Sequence, residues 1–226
     1  QGYLAVVLVD LGALAQIAKS FGGAVFRSLR EQVDPLLEEM RERFRSDDVL
    51  TRDESEGDRF LLFVGGPRRA APFRAEQLRK LVDRLDDFLS ARVGRLVQPY
   101  LRERPQLGMG YGVVLWSPLE SPERQVLRLV DEAKTCAQMR AGQRERDQRE
   151  RLVEIIQNRE IWTAFQPIVS LATGERLGWE ALSRGPRGSE IELPLLLFGR
   201  AARYGLVEEL ERACRRQAFA DWRLLA

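Results

Sequence analysis

Leu4-Ala5-Val6-Val7-Leu8-Val9 is an unbroken apolar run, half of it β-branched. A strand of that composition is buried on both faces, so whatever this chain folds into must cover a sheet above and below. The run stops at Asp10. Cover follows at once: Phe26, Leu29, Val33, Leu36, Leu37, Met40 and Phe44 recur at three- and four-residue steps and make one apolar stripe on a helix. Pro35 interrupts the stripe. An interior proline costs about 3 kcal/mol, so either the helix kinks or a second one restarts with Asp34 as its cap and Pro35 in the first position.

Residues 49–52 and 60–64 are short strand-like runs flanking a polar turn, the pattern of a hairpin. A loop rich in glycine, proline and arginine follows over 65–72. Leu78, Leu81, Val82, Leu85, Leu89, Val93, Leu96 and Val97 then mark a long amphipathic helix, and 109–116 a further strand. Ser121 or Pro122 opens another helix, with Val126, Leu129, Val130, Ala133 and Ala137 inward. Strands and helices in this order predict an α+β sheet domain.

Between 141 and 151 nearly every residue is polar or charged, with alternating signs and no proline, as an exposed helix face allows. This is the natural boundary. It predicts three parts: a sheet domain over 1–142, a connecting helix over 143–161 and a second domain over 162–226. In the last part, 164–169 and 176–183 read as strands joined at Ala172-Thr173-Gly174, with helices over 194–204 and 207–224.

The net charge is +2, from 36 basic against 34 acidic residues, so no global field points to nucleic acid or to an anionic membrane surface. Any anion must be bound locally. The longest apolar runs fall far short of the roughly twenty residues that span a bilayer. Cys136 and Cys214 lie far apart on helical patterns, a usage that fits small buried side chains in a reducing cytoplasm. There is no histidine, so acid–base or metal chemistry would rest on carboxylates and lysine. Gln1 enters a strand almost at once, which predicts a longer parent protein.

Strand, aspartate, helices and a hairpin turn reading Glu56-Gly57-Asp58-Arg59-Phe60 together resemble the GGDEF domain, the diguanylate cyclase family that makes cyclic di-GMP from two GTP. The resemblance covers about residues 1–142 and implies a nucleotidyl-cyclase-like sheet. It places Asp10 and Asp58 at the family's metal-binding carboxylates, as a vestigial site. The turn departs from the family, with Glu56 for its first glycine and Arg59 for its final glutamate. The guanine-reading positions fall on Ala18 and Arg27, and the triphosphate-holding ones on Met139 and Gln143. A site that reads a base by hydrogen bonds fails without them, so the expectation is a domain that does not cyclise GTP. Arg45-Ser46-Asp47-Asp48 matches the family's inhibitory arginine-x-x-aspartate site, which implies that Arg45 and Asp48 bind cyclic di-GMP. Arg52 follows at the strand entry, with two residues inserted before the turn. Arginine and aspartate so spaced also make an ordinary surface pair worth a few tenths of a kcal/mol.

Phe165-Gln166-Pro167-Ile168-Val169 and Gly178-Trp179-Glu180-Ala181-Leu182-Ser183-Arg184 resemble the opening of an EAL domain, the family that hydrolyses cyclic di-GMP. The resemblance implies the first strands and helices of a TIM-type barrel, with reactive residues at strand ends. It implies that Glu180 ligates metal and that Gln166 and Arg184 contact the dinucleotide. It also implies Mg2+ or Mn2+ as the cofactor of the complete domain, where the ion activates a water. The family's remaining ligands and its catalytic lysine belong to strands beyond residue 226, so no complete catalytic set is expected here. A partial barrel leaves sheet edges unpaired, and a homodimer is one way to cover them. The expectation is a cytoplasmic cyclic di-GMP signalling protein, in which an inactive cyclase-like domain regulates an EAL-type phosphodiesterase. The alternative is a non-enzymatic receptor or dimerisation module.

Overall fold

The structure, a computed structural model, describes residues 2–42, 44, 47–53, 58–65, 74–98 and 105–223, apart from the side chains of residues 13, 15, 16 and 18. It divides into two compact units, Gln1–Gln143 and Arg144–Ala226.

In the first unit β1 (Tyr3–Asp10) is an inner strand of a four-stranded sheet, ordered β2 (Val49–Arg52), β3 (Arg59–Gly65), β1, β4 (Gly108–Leu115). All three pairings are antiparallel. The apolar run explains why β1 sits inside: its alternate residues serve two different cores. Ala5, Val7 and Val9 join Leu29, Val33, Leu37 and Met40 of α2 (Gly23–Arg41) and Leu78, Val82, Leu85, Leu89 and Val93 of α3 (Ala75–Val97). Val6 and Leu8 face the other way, with Leu61 and Val114, against Leu129, Ala133 and Ala137 of α4 (Pro122–Gln157).

Two glycines let α4 approach. A Cβ on Gly110 would stand 2.2 Å from the Ala133 carbonyl oxygen and 2.4 Å from the Ala137 nitrogen, and one on Gly112 would stand 2.2 Å from the Leu129 carbonyl oxygen. Only a residue without a side chain lets a helix backbone lie this close to a strand.

The helix α2 runs through Pro35 without a break, so the restart capped by Asp34 does not occur. A short helix α1 (Ala15–Phe21) precedes it after a 3-10 turn at Gly12–Leu14. The charged stretch at 141–151 is not a separate element. It is the middle of α4, a 36-residue helix that begins in the first unit and ends in the second.

In the second unit β5 (Trp162–Val169) and β6 (Arg176–Arg184) form one antiparallel hairpin around a turn in which Gly174 adopts φ 72°. The strands of a TIM barrel run parallel, so this pair is not by itself the start of a regular parallel barrel. The core lies elsewhere. Leu152 and Ile155 of α4 pack with Ile161 and Ile191, with Leu197 and Ala201 of α5 (Pro194–Tyr204), and with Leu210 and Cys214 of α6 (Val207–Trp222). One face of the hairpin is covered by α6. Trp222 meets the rings of Phe165 and Trp179 at centroid distances of 5.6 and 6.5 Å, and Asp221 accepts a hydrogen bond from the Thr163 amide at 3.0 Å.

Candidate functional site

Asp10 ends β1, and the register sets it opposite Arg59, the first residue of β3, and Gly108, the first of β4. Partners in an antiparallel ladder project to the same face. The Arg59 guanidinium accordingly donates through Nε to Asp10 Oδ2 at 2.6 Å, while the Gly12 amide donates to Oδ1 at 2.7 Å. Both side chains of the ion pair are about one quarter exposed, at 24% each. Asp58 reaches β1 by its backbone, whose carbonyl accepts from the Leu11 amide at 2.9 Å.

The strand-end aspartate and the start of β3 therefore meet through the Asp10–Arg59 ion pair. Two hydrogen-bond donors already engage the two Asp10 oxygens, and a fixed positive charge lies where a divalent cation would approach. Like charges at contact distance repel strongly even when partly screened. No group of three or more acidic, cysteine or histidine side chains that could hold a metal occurs among the described residues. The donors present at Asp10 do not fit a divalent ion.

Of the other positions in this unit, Asp48 is buried, at 8% exposure, and makes contacts of its own. Its motif partner Arg45 lies outside the described residues, as do Ser46, Glu56, Gly57 and the Ala18 side chain. Arg52 is already engaged, donating to Asp34 at 2.7 Å and lying 5.0 Å above the Phe60 ring. Arg27 is exposed, and Met139, in the triphosphate position, is 71% exposed.

In the second unit the register pairs Gln166 directly with Glu180. The two-residue repeat of a strand then sets Glu180, Leu182 and Arg184 on one face of β6, with Gln166 and Ala164 beside them on β5. Phe165 and Trp179 belong to the opposite face, the one α6 covers. All three EAL-type positions thus share the face turned away from α6, where Glu180 and Gln166 are exposed. Arg184 is half-buried and its guanidinium donates to the Ser183 carbonyl at 3.1 Å. One carboxylate and one amide oxygen are too few for a hard cation, which takes six or more oxygen ligands. The residues here could contribute to a metal site but do not make one.

Cys214 is buried, and that burial pushes its thiol above the ordinary range, which disfavours the reactive thiolate. At the end of α4 the Arg151 guanidinium donates to Glu160 at 2.5 Å and to Glu154 at 3.2 Å, and the first of these bonds holds the Glu160 carboxyl below its usual value.

The Arg59–Asp10 contact was missed by sequence reasoning, in which Arg59 closes the polar turn; it emerges only from the antiparallel register of β1 with β3.

No protein-family model matches the chain, and no curated protein does. Several solved structures show partial likeness. One is a sensory box/GGDEF family protein from Caulobacter crescentus CB15, with 18% identity and a TM-score of 0.43 over 61% of this chain and 80% of that one. Another is the diguanylate cyclase SiaD from Pseudomonas aeruginosa in complex with its activator SiaC, with 19% identity and a TM-score of 0.34 over 62% and 47%. A third is Vibrio cholerae LapD, an S helix-GGDEF-EAL protein bound to c-di-GMP, with 14% identity and a TM-score of 0.32 over 92% and 51%. The chain spans about half the length of the last two. No described helix is long and apolar enough to cross a membrane.

Proposed function

We propose that this chain is part of a cyclic di-GMP signalling protein whose first unit is a cyclase-like domain without cyclase chemistry. One observation carries the reading: Asp10 and the hairpin residue Arg59 are in contact at 2.6 Å. That contact joins the two sequence elements of the cyclase resemblance at one sheet end, and it puts a cation where the family has a carboxylate. Catalysis of phosphoryl transfer rests on positioning and on metal-assisted charge stabilisation. A site closed by its own arginine supplies neither.

The role left to the first unit is to sense or to regulate. Arg45 and Asp48 are the residues proposed to take cyclic di-GMP, Arg45 by forked donation to phosphate or guanine oxygens and Asp48 by accepting from a guanine edge. The second unit is proposed to contribute Glu180, Gln166 and Arg184 to an EAL-type site, Glu180 as a metal ligand and the other two toward the dinucleotide. Mg2+ or Mn2+ would supply its chemistry, water activation, only in the complete domain. The shared open face of Gln166 and Glu180 supports this assignment.

Calorimetric titration of cyclic di-GMP into this chain and into its Arg45→Ala and Glu180→Gln forms tests the reading. Saturable binding that Arg45→Ala abolishes and Glu180→Gln leaves unchanged supports a sensing first unit. An absence of binding in the unsubstituted chain contradicts it.

A further inference from the structure

We propose that Arg59 is a tethered cation standing in for a divalent ion at the end of β1, so that the first unit needs no metal at Asp10. This deepens the reading above and rests on it in one respect, the match of Asp10 to the cyclase family's metal-binding carboxylate.

Charge arithmetic supports the substitution. A glutamate together with a divalent cation carries a net single positive charge, and arginine carries that charge alone. The cation facing Asp10 is thereby retained, but as part of the polypeptide. The surrounding geometry is suited to a small, close partner. A Cβ on Gly108 would fall 2.9 Å from the Asp10 Cβ, and one on Gly12 would fall 2.9 Å from its Oδ1. Bare backbone therefore crowds the carboxylate on two sides, and Arg59 comes in from a third.

The planar guanidinium also does what an exchangeable ion cannot. Arg59 is an element of β3 itself: its carbonyl accepts from the Asp53 amide across the hairpin at 2.9 Å, and its Nε holds Asp10 at 2.6 Å. The start of β3 is thus fastened to the end of β1 under all metal concentrations. With the family's glutamate in its place, the same fastening would depend on an ion to bridge two carboxylates.

Mn2+ titration, read by electron paramagnetic resonance of the free ion and by thermal melting, tests this with no nucleotide present, so its outcome is independent of cyclic di-GMP binding. The unsubstituted chain is expected to show no saturable Mn2+ site and the same melting temperature in Mn2+ and in EDTA. Arg59→Glu is expected to gain Mn2+ affinity by about tenfold or more, because a second carboxylate replaces a repelling charge, and to melt higher in Mn2+ than in EDTA. Should Arg59→Glu fail to fold, Arg59→Gln is the second variant, expected to gain weaker Mn2+ binding and to melt below the unsubstituted chain. Two results overturn the proposal: Mn2+ binding by the unsubstituted chain that Asp10→Asn abolishes, or no gain of Mn2+ binding in either Arg59 variant.

Discussion

The two units treat their sheets in opposite ways, and each puts its candidate carboxylate in a matching condition. In the first unit β1 is buried on both sides, between α2 and α3 on one face and α4 on the other. Its Asp10 is partly buried and paired with Arg59. In the second unit α6 covers one face of the β5–β6 hairpin, and Ile168 and Leu177 remain substantially exposed. Its Glu180 stands open on the uncovered face. A two-stranded hairpin is marginal by itself, so what holds this unit is the packing of α4, α5 and α6 beneath it. The lesson is that a finished core and a usable site are separate achievements: the unit with the better-covered sheet carries the neutralised carboxylate.

The contrast breaks most severely at the glycines. Gly110→Ala puts a methyl against two backbone atoms of α4 that cannot rotate away, and is expected to cost about 3 kcal/mol in urea unfolding. A cost below a few tenths would mean that α4 is not seated on β4. Next in size is a difference in thiol reactivity. Cys214, buried and with its thiol pushed up by that burial, should alkylate with iodoacetamide at mildly alkaline pH about tenfold or more slowly than the half-buried Cys136. Equal rates would mean that the second core opens readily. Gly199→Ala in α5 has nothing within 4 Å of the new methyl, and should stabilise the second unit by about 0.5–1 kcal/mol through helix propensity alone. The same chemical change thus has opposite signs in the two units.

The smallest effect is on pH. Glu160 is held below its ordinary value by Arg151, so the pair stabilises the folded form above the usual carboxylate range and ceases to as pH falls through the depressed value. Melting temperature should therefore decline below about pH 4, and Glu160→Gln should flatten that decline slightly. Both groups lie at the surface, so added salt should weaken the effect.

Much of the architecture was legible because it rests on short-range periodicity. The run 4–9, the stripe of α3 and the turn at 172–174 each carry a pattern that permits few other readings, and the structure has an element at each. The misses have a common cause in context. The helix α1 carries too little apolar pattern to stand out, with Ile17 as its buried aliphatic residue. Pro35 is tolerated inside α2, where Leu29, Val33, Leu37 and Met40 are all buried and outweigh the local cost. The polar stretch of α4 reads as an exposed connecting helix because its charges alternate without a proline, and it is helical as part of one 36-residue element. Of the candidate sites, the pairing of Gln166 with Glu180 follows from a short turn. The pairing of Asp10 with Arg59 spans 49 positions in the chain and needs the tertiary register. Arg52, at the strand entry that follows the arginine-x-x-aspartate motif, pairs with Asp34.

The proposal for this chain is that it binds cyclic di-GMP without making or breaking it. Incubating it with GTP and Mn2+, and separately with cyclic di-GMP and Mn2+, and then separating the nucleotides by chromatography, tests that claim directly. The account predicts unchanged GTP in the first mixture and unchanged cyclic di-GMP in the second. Accumulation of cyclic di-GMP from GTP, or its conversion to the linear dinucleotide, would contradict it.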